Sequence, residues 1–463
     1  MATCHDSDPL ESAVFDELRE FIRRRRAGAR VTGDGFERFE RELHAVMCGI
    51  EKELVREELL RLDVTDDAVR IGAKVFRRVA CSEATYLTAA GPVTVSRHLF
   101  EAKGEHHAIC PVELRAAIVE GEYTPRAARL MALMMSEMPS AQAEAIFKEL
   151  GSMKPSGSAL DRLPKKLSAR WESHRAQWEA ALRKPEPVPQ EAACCAASLD
   201  GVLVPMNTSE AREGQAVSGK QPKGPADYRE VGCATISFYD AEGKRLLTRR
   251  FARMPESGMT TLCEQLQAEW ARIRSLRPGL HLVRMSDGAD GNWNRLRTLK
   301  AARVTEIEDF FHAAEHLKTA ADAAFGEGSA QSKRFFETYR QRLREEEGGV
   351  EAVIAALSYR ARASRKGRRQ VRKVLAYFRK RRRRMKYAEY SERGLPVGTG
   401  VTEAACKTLA SQRMKRSGMR WGMEGGQSIL TLRSLIQSER WDRGWALLRS
   451  SYSADVQPML RCA

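Results

Sequence analysis

Between residues 192 and 325 the apolar pattern changes period several times, and that succession limits the fold more than any other feature of the chain. AACCAASLDGVLVPM (192–206) is a β-rich apolar run. CATISFYD (233–240) and KRLLTRRFARM (244–254) flank Ala241-Glu242-Gly243 as a hairpin. TTLCEQLQAEWARIRSL (260–276) puts Leu262, Leu266, Trp270 and Ile273 on one helical face. HLVRMSDGAD (281–290) is a strand running into a turn, and VTEIEDFFHAAEHLKTAADAAF (304–325) is a short strand followed by a helix. The order β, β-hairpin, α, β, β, α describes a mixed α/β domain.

The flanking segments read differently. Residues 1–183 are expected to form a mostly helical region, with a helical stretch from Leu10 to about residue 75 and a stripe of Leu43, Val46, Met47, Ile50, Leu54 and Val55. SEATYLTAAGPVTVSRHLFEA (82–102) turns to period two around Ala90-Gly91-Pro92, a small β-hairpin. In TPRAARLMALMMSEMPSAQAEAIFKELG (124–151), Pro125 suits a first helical turn and Pro139 stops that helix; Ser140 can cap the next, which Gly151 ends. This pair reads either as a DNA-binding helix-turn-helix or as ordinary core packing. KPEPVPQE (184–191) carries three prolines in eight positions and reads as a linker.

No apolar run approaches the roughly 18 to 20 residues that span a bilayer. The start MATCHDSDPLESAVFDELREF lacks the basic-then-apolar plan of a signal peptide, so the cytoplasm is the expected location and no membrane partner is expected. The ten cysteines contain no CxxC pair, which argues against a zinc knuckle and leaves them as small buried hydrophobes.

Seventy-eight Lys and Arg against 61 Asp and Glu give a net charge of +17, which points to a polyanionic partner. Nearly all of that excess is local. From Ala352 to Ala388 stand fifteen Lys and Arg and no acid, including Arg381, Arg382, Arg383 and Arg384. Ile354, Leu357, Val371, Val374, Leu375 and Phe378 recur at threes and fours, so the stretch is helical with a break near Gly367. Solvated helical faces usually mix signs, whereas a run without one acid resembles a phosphate-contacting surface.

Three acids stand where strands end or a helix begins. Asp200 follows Ala196-Ala197-Ser198-Leu199, Asp287 follows Leu282-Val283-Arg284-Met285-Ser286, and Glu403 opens a helix after Gly398-Thr399-Gly400-Val401-Thr402. Phosphodiester cleavage and transfer use two Mg²⁺ ions about 4 Å apart, one on the attacking and one on the leaving oxygen. Mg²⁺ prefers hard oxygen ligands and keeps several waters, so two or three carboxylates can suffice. The plainer reading of Asp200-Gly201 and Asp287-Gly288 is a turn, and of Glu403 a complement to its helix dipole. Asp290 competes with Asp287, which directly follows the apolar strand.

SLDGVLVP, SDGADGNW, EDFFHAAEHL and GTGVTEAACKTLASQRMKRSGMRW together resemble bacterial insertion-sequence DDE transposases of the ISKra family, relatives of the Mutator superfamily, over roughly residues 192–435. The resemblance implies an RNase H-like α/β catalytic domain with an all-helical insertion, here residues 192–328, 329–392 and 393–463, behind the helical N-terminal region and the 184–191 linker. It implies Asp200, Asp287 and Glu403 as catalytic, metal-binding acids for two Mg²⁺ ions, with Mn²⁺ as a substitute. It also marks Asp309 and His312, the family's Asp-x-x-His pair, as members of the catalytic group. Arg381 to Arg384 in the insertion, with Arg413, Lys415 and Arg416 beyond Glu403, would then contact DNA. The implied partners are double-stranded DNA, as element ends and target, and further copies of the chain. A nuclease of the same fold and a catalytically silent DNA-binding regulator are the alternatives.

Overall fold

The computed structural model describes residues 9–28, 32–105, 107–207, 227–363 and 367–459. Cys4 and Cys462, the rest of residues 1–8, and Arg365 and Lys366 of the basic run lie outside them. The protein is mixed α/β and divides into two compact units, residues 1–175 with 442–463, and residues 176–441. No helix among the described residues is long and apolar enough to cross a membrane.

The first unit opens with helices Pro9–Ala27 and Asp34–Arg61, joined by stacked Phe21 and Phe39 rings 6.0 Å apart. Helix gives way to strand earlier than the apolar stripe suggested, at β1 (Ala68–Ile71). The hairpin is larger than expected: β2 (Lys74–Thr88) and β3 (Gly91–Ala102) are the long half of a four-stranded antiparallel sheet. Its fourth strand is Val456–Met459, paired to β1, so the chain's last described segment completes this sheet. The helix pair forms as Pro125–Glu137 and Ser140–Leu150, but Pro139 occupies the cap position and Ser140 lies inside the helix. Gly151 ends it at φ 77°, a left-handed conformation that favours glycine.

In the second unit β4 (Cys194–Pro205), β5 (Tyr228–Tyr239), β6 (Arg245–Arg253), β7 (His281–Ser286) and β8 (Thr305–Glu308) form one sheet in the order β6-β5-β4-β7-β8. β4 pairs antiparallel with β5 and parallel with β7, and β7 parallel with β8. Both faces of β4 are covered, which is why it reads as a continuous apolar run rather than an alternating one. Cys195, Ala197 and Leu199 pack in one core with Leu262, Leu266, Trp270 and Ile273 of helix Thr260–Leu276. Cys194 and Ala196 share the opposite core with Val283, Met285 and Ile307, against helix Phe310–Phe325 and the helices Ala330–Glu345, Gly349–Ala363 and Arg368–Arg381. Gly367 caps the last of these at φ 69°.

Two expectations on organisation are corrected. KPEPVPQE is not a free tether. Val188 is buried, and Arg272 and Arg277 donate to the Lys184, Pro189 and Ala192 carbonyls, so the prolines lie along the second unit. Glu186 joins a buried ion-pair group with Arg249 (3.1 Å), Arg440 (2.6 Å) and, through them, Glu269. The division falls instead within helix Gly157–Arg183, and residues 442–463, grouped by sequence with 393–441, belong to the first unit. Among the described cysteines all eight are free; Cys81 is exposed, contrary to the buried expectation.

Candidate active site

Asp200 does not end its strand. β4 stays paired to β5 through Pro205, so Asp200-Gly201 is mid-strand and not a turn. Gly201 lies close under the Glu230 side chain from β5, which would have to shift for a Cβ at 201. What ends near Asp200 is the parallel partner: the β4–β7 ladder stops at Ser198 opposite Met285. Carried two residues on, the same register sets Asp200 beside Asp287. Strand alternation puts Asp200 on the face of Ala196, and Asp287 on that of Val283 and Met285, which share one core. The β7–β8 ladder ends at Ser286 opposite Glu308, and one further step sets Asp309 beside Asp287.

Glu403 arrives on helix Gly400–Ala405, whose position is fixed from two sides. The Thr402 hydroxyl lies 2.7 Å from that of Thr235, which is opposite Ser198 on β5. Asp309, buried at the end of β8, accepts from the Thr399 backbone N–H and from its hydroxyl (2.8 Å), while its other oxygen accepts the His312 backbone N–H (2.6 Å). The Thr399 hydroxyl also lies 3.2 Å from Glu403 Oε1. Gly398 leaves room for the Phe311 ring against this loop. The helix continues into a π-helical turn, Cys406–Ser411, a bulge that recurs at functional sites, and the Cys406 thiol faces Asp200 Oδ2 at 3.8 Å.

Burial pushes the Asp200 carboxyl above the usual carboxylate range, opposed by the Gly201 N–H and reinforced by the charges of Asp287, Glu230 and Glu403. None of Asp200, Asp287 and Glu403 has an ion-pair partner among the described residues. Like charges gathered without a counter-charge suit a cation. Among the described residues no three His, Cys, Asp or Glu side chains converge tightly enough to cage an ion. Mg²⁺ keeps most of its waters, and one or two carboxylates per ion fit its chemistry.

The other expected site residues fare differently. Both Asp309 oxygens are occupied, so it anchors the Glu403 loop and is not a free ligand. His312 is linked to it through its backbone; its ring meets His316 (4.8 Å) and, more distantly, Tyr377. Asp290, the rival of Asp287, is exposed and paired with Lys380 at 2.8 Å. Arg413 is 3% exposed, its guanidinium over the Trp421 ring, and so it does not line a surface; Lys415 and Arg416 do. Arg382 and Arg383 are exposed, but Arg381 and Arg384 are not free cations. Arg381 Nε lies 2.8 Å from Glu308, and Arg384 Nε 2.8 Å from Glu306 with its guanidinium 4.1 Å over Trp293. Of their acid partners, Glu308 and Glu306 are on β8.

Sequence reasoning missed Glu308, Glu230, Thr399 and Cys406. Glu308 is fully buried, and burial lifts its carboxyl to about 7 against the pull of Arg381 and Arg384. An acid ending a short strand beside Asp309 was the available signal. A search of protein-family models and of curated proteins finds no match to this chain.

Proposed function

We propose that this protein is a DDE transposase, cutting DNA at the ends of an insertion sequence and joining the freed strand to target DNA, with an RNase H-like second unit as its catalytic domain. The observation that carries this reading is the gathering of Asp200, on β4, and Asp287, one residue past β7, just beyond the end of the parallel β4–β7 ladder, with the Glu403 helix fastened to the same sheet end. The sheet order β6-β5-β4-β7-β8, with its antiparallel half and parallel half meeting at β4, supports the RNase H-like assignment. Asp200, Asp287 and Glu403 would hold Mg²⁺, which supplies a polarised attacking oxygen and neutralises the leaving one.

The chain's own residues set the stage for in-line displacement. Asp309 holds the Thr399 loop and thereby the approach of Glu403; the Cys406 thiol, pushed well above its usual range by Cys233 and by burial, stays protonated beside Asp200 and adds no charge. Arg382, Arg383, Lys415 and Arg416 offer exposed cations to DNA phosphates, and the helix pair of the first unit is the candidate for reading element ends. Paired processing of two ends calls for a homo-oligomer acting on double-stranded DNA in the cytoplasm.

The test uses duplexes from the DNA flanking the reading frame, with a supercoiled target, with and without Mg²⁺. The reading expects metal-dependent nicking at the element ends and a joined product. Cleavage without joining indicates a nuclease of the same fold, and binding without cleavage a silent regulator.

A further inference from the structure

The residues after Asp287 make an unusual approach. Gly288 stands at φ 96°, and a Cβ there would collide with the Glu308 carboxylate, so the backbone passes directly over that buried acid. Into the same place comes Arg381, from the last turn of helix Arg368–Arg381. Its Nε is 2.8 Å from Glu308 Oε1, one amino group donates to the Gly288 carbonyl, and its guanidinium lies 4.6 Å from the Tyr377 ring. Tyr377 in turn donates to Glu308 at 3.4 Å. Arg381 is 13% exposed, and its other acid partner, Asp290, sits at 3.4 Å in the helix that follows Asp287. One guanidinium thus ties together the basic helix, the end of β8 and the turn leaving Asp287.

Asp287 is held from its own side as well. Ser286 Oγ, the Ala289 N–H and Asn292 Nδ2 all donate to Oδ1, at 3.1, 3.2 and 3.5 Å, and Oδ2 has no hydrogen-bond donor among the described residues. The orientation of that free oxygen depends on the course of residues 287–289, whose carbonyl at Gly288 is fixed by Arg381. We propose that Arg381 is a positioning residue for Asp287, not a DNA contact; the inference rests on reading Asp287 as a metal-binding acid. A planar fork is required because two acceptors at different angles must be met at once, which a lysine ammonium on a flexible stem does not reproduce.

The experiment uses the full chain with Mn²⁺ as probe, following the free-ion electron paramagnetic resonance signal. Salt-dependent binding to duplex DNA and melting curves are measured beside it. Arg381→Lys and Arg381→Gln are expected to raise the Mn²⁺ dissociation constant about tenfold, the lower end of what losing an outer partner of a metal ligand does. The salt slope of DNA binding should stay as in the wild type. Arg382→Gln with Arg383→Gln should do the reverse. Should the Arg381 variants unfold, Glu308→Gln keeps the shape of Arg381's seat while removing its charge, and it should weaken Mn²⁺ by a smaller factor at full fold. Unchanged Mn²⁺ affinity in a folded Arg381 or Glu308 variant overturns the proposal, as does a reduced salt slope with Mn²⁺ binding intact. If the wild type itself neither takes up Mn²⁺ nor cuts DNA, it is the metal reading of the three acids that falls.

Discussion

Asp200 carries both a functional expectation and a stability expectation, of opposite sign. Asp200→Asn, Asp287→Asn and Glu403→Gln keep shape while removing a carboxylate charge, and each should abolish cleavage and joining while leaving DNA affinity nearly intact in a gel shift. Normal cleavage by any of them removes that residue from the site. Because burial and neighbouring acids raise the Asp200 carboxyl, the folded chain binds that proton more tightly than the unfolded one. Stability is therefore lost as pH rises from the unfolded carboxyl range, near 3.9, through the raised folded value, and it remains lost above that value. Asp200→Asn should relieve the loss, so its melting temperature at pH 7 should exceed the wild type's, by about 2 to 4 °C per kcal/mol relieved. The difference should vanish below about pH 4. An inactive variant that melts lower at pH 7 would contradict the crowded-carboxylate account. The three acids were legible because each follows a distinct apolar or glycine-rich run. The register that sets Asp200 beside Asp287 was not, since pairing depends on contacts between segments more than eighty residues apart.

At the scale of elements, the basic insertion splits into cations that face water and cations that hold the fold. Replacing Arg382 and Arg383 by Gln should flatten the slope of log K against log salt on duplex DNA by up to roughly 1.8, two contacts at about 0.9 each. Arg384→Gln should instead lower the melting temperature, because it strips Glu306 of a partner and Trp293 of its stacked guanidinium, and leave the slope unchanged. A run of like charges in one sequence window cannot reveal this division, because Glu308 and Glu306, which pair with Arg381 and Arg384, lie on β8, some seventy residues earlier. The proline-rich segment was misread for a related reason. Prolines signal a tether when nothing receives them, but here Glu186 enters a largely buried network with Arg249, Arg440 and Glu269. Removing one member leaves uncompensated buried charge, so Glu269→Ala should destabilise the chain by about 3 to 5 kcal/mol. Urea unfolding measures this, and a loss below about 1 kcal/mol would show the network to be dispensable. By contrast, the helix Thr260–Leu276 and its buried face were readable outright, since its stripe residues Leu262, Leu266, Trp270 and Ile273 follow one another at steps of three or four.

For the whole molecule, DNA recognition by the first unit cannot be tested with residues 1–190 alone. Such a fragment lacks Val456–Met459 and exposes β1 as an edge. Residues 1–175 fused through a flexible linker to 442–463 should bind element-end DNA in preference to random duplex. Equal binding to both would leave the helix pair as core packing. The strand Val456–Met459 escaped sequence reading because it is four residues long and contains Pro458, which is tolerated at a sheet edge. Its pairing with β1 also has a consequence for synthesis on the ribosome. The partner of Ala68–Ile71 is made about 385 residues later, which at roughly 5 to 20 residues per second is on the order of 20 to 80 seconds. Throughout that interval the nascent chain carries an unfilled place in its first sheet while the whole of residues 176–441 emerges and can fold. The unit begun first is thus completed after the second has been made, and its stability is withheld until Val456–Met459 has emerged.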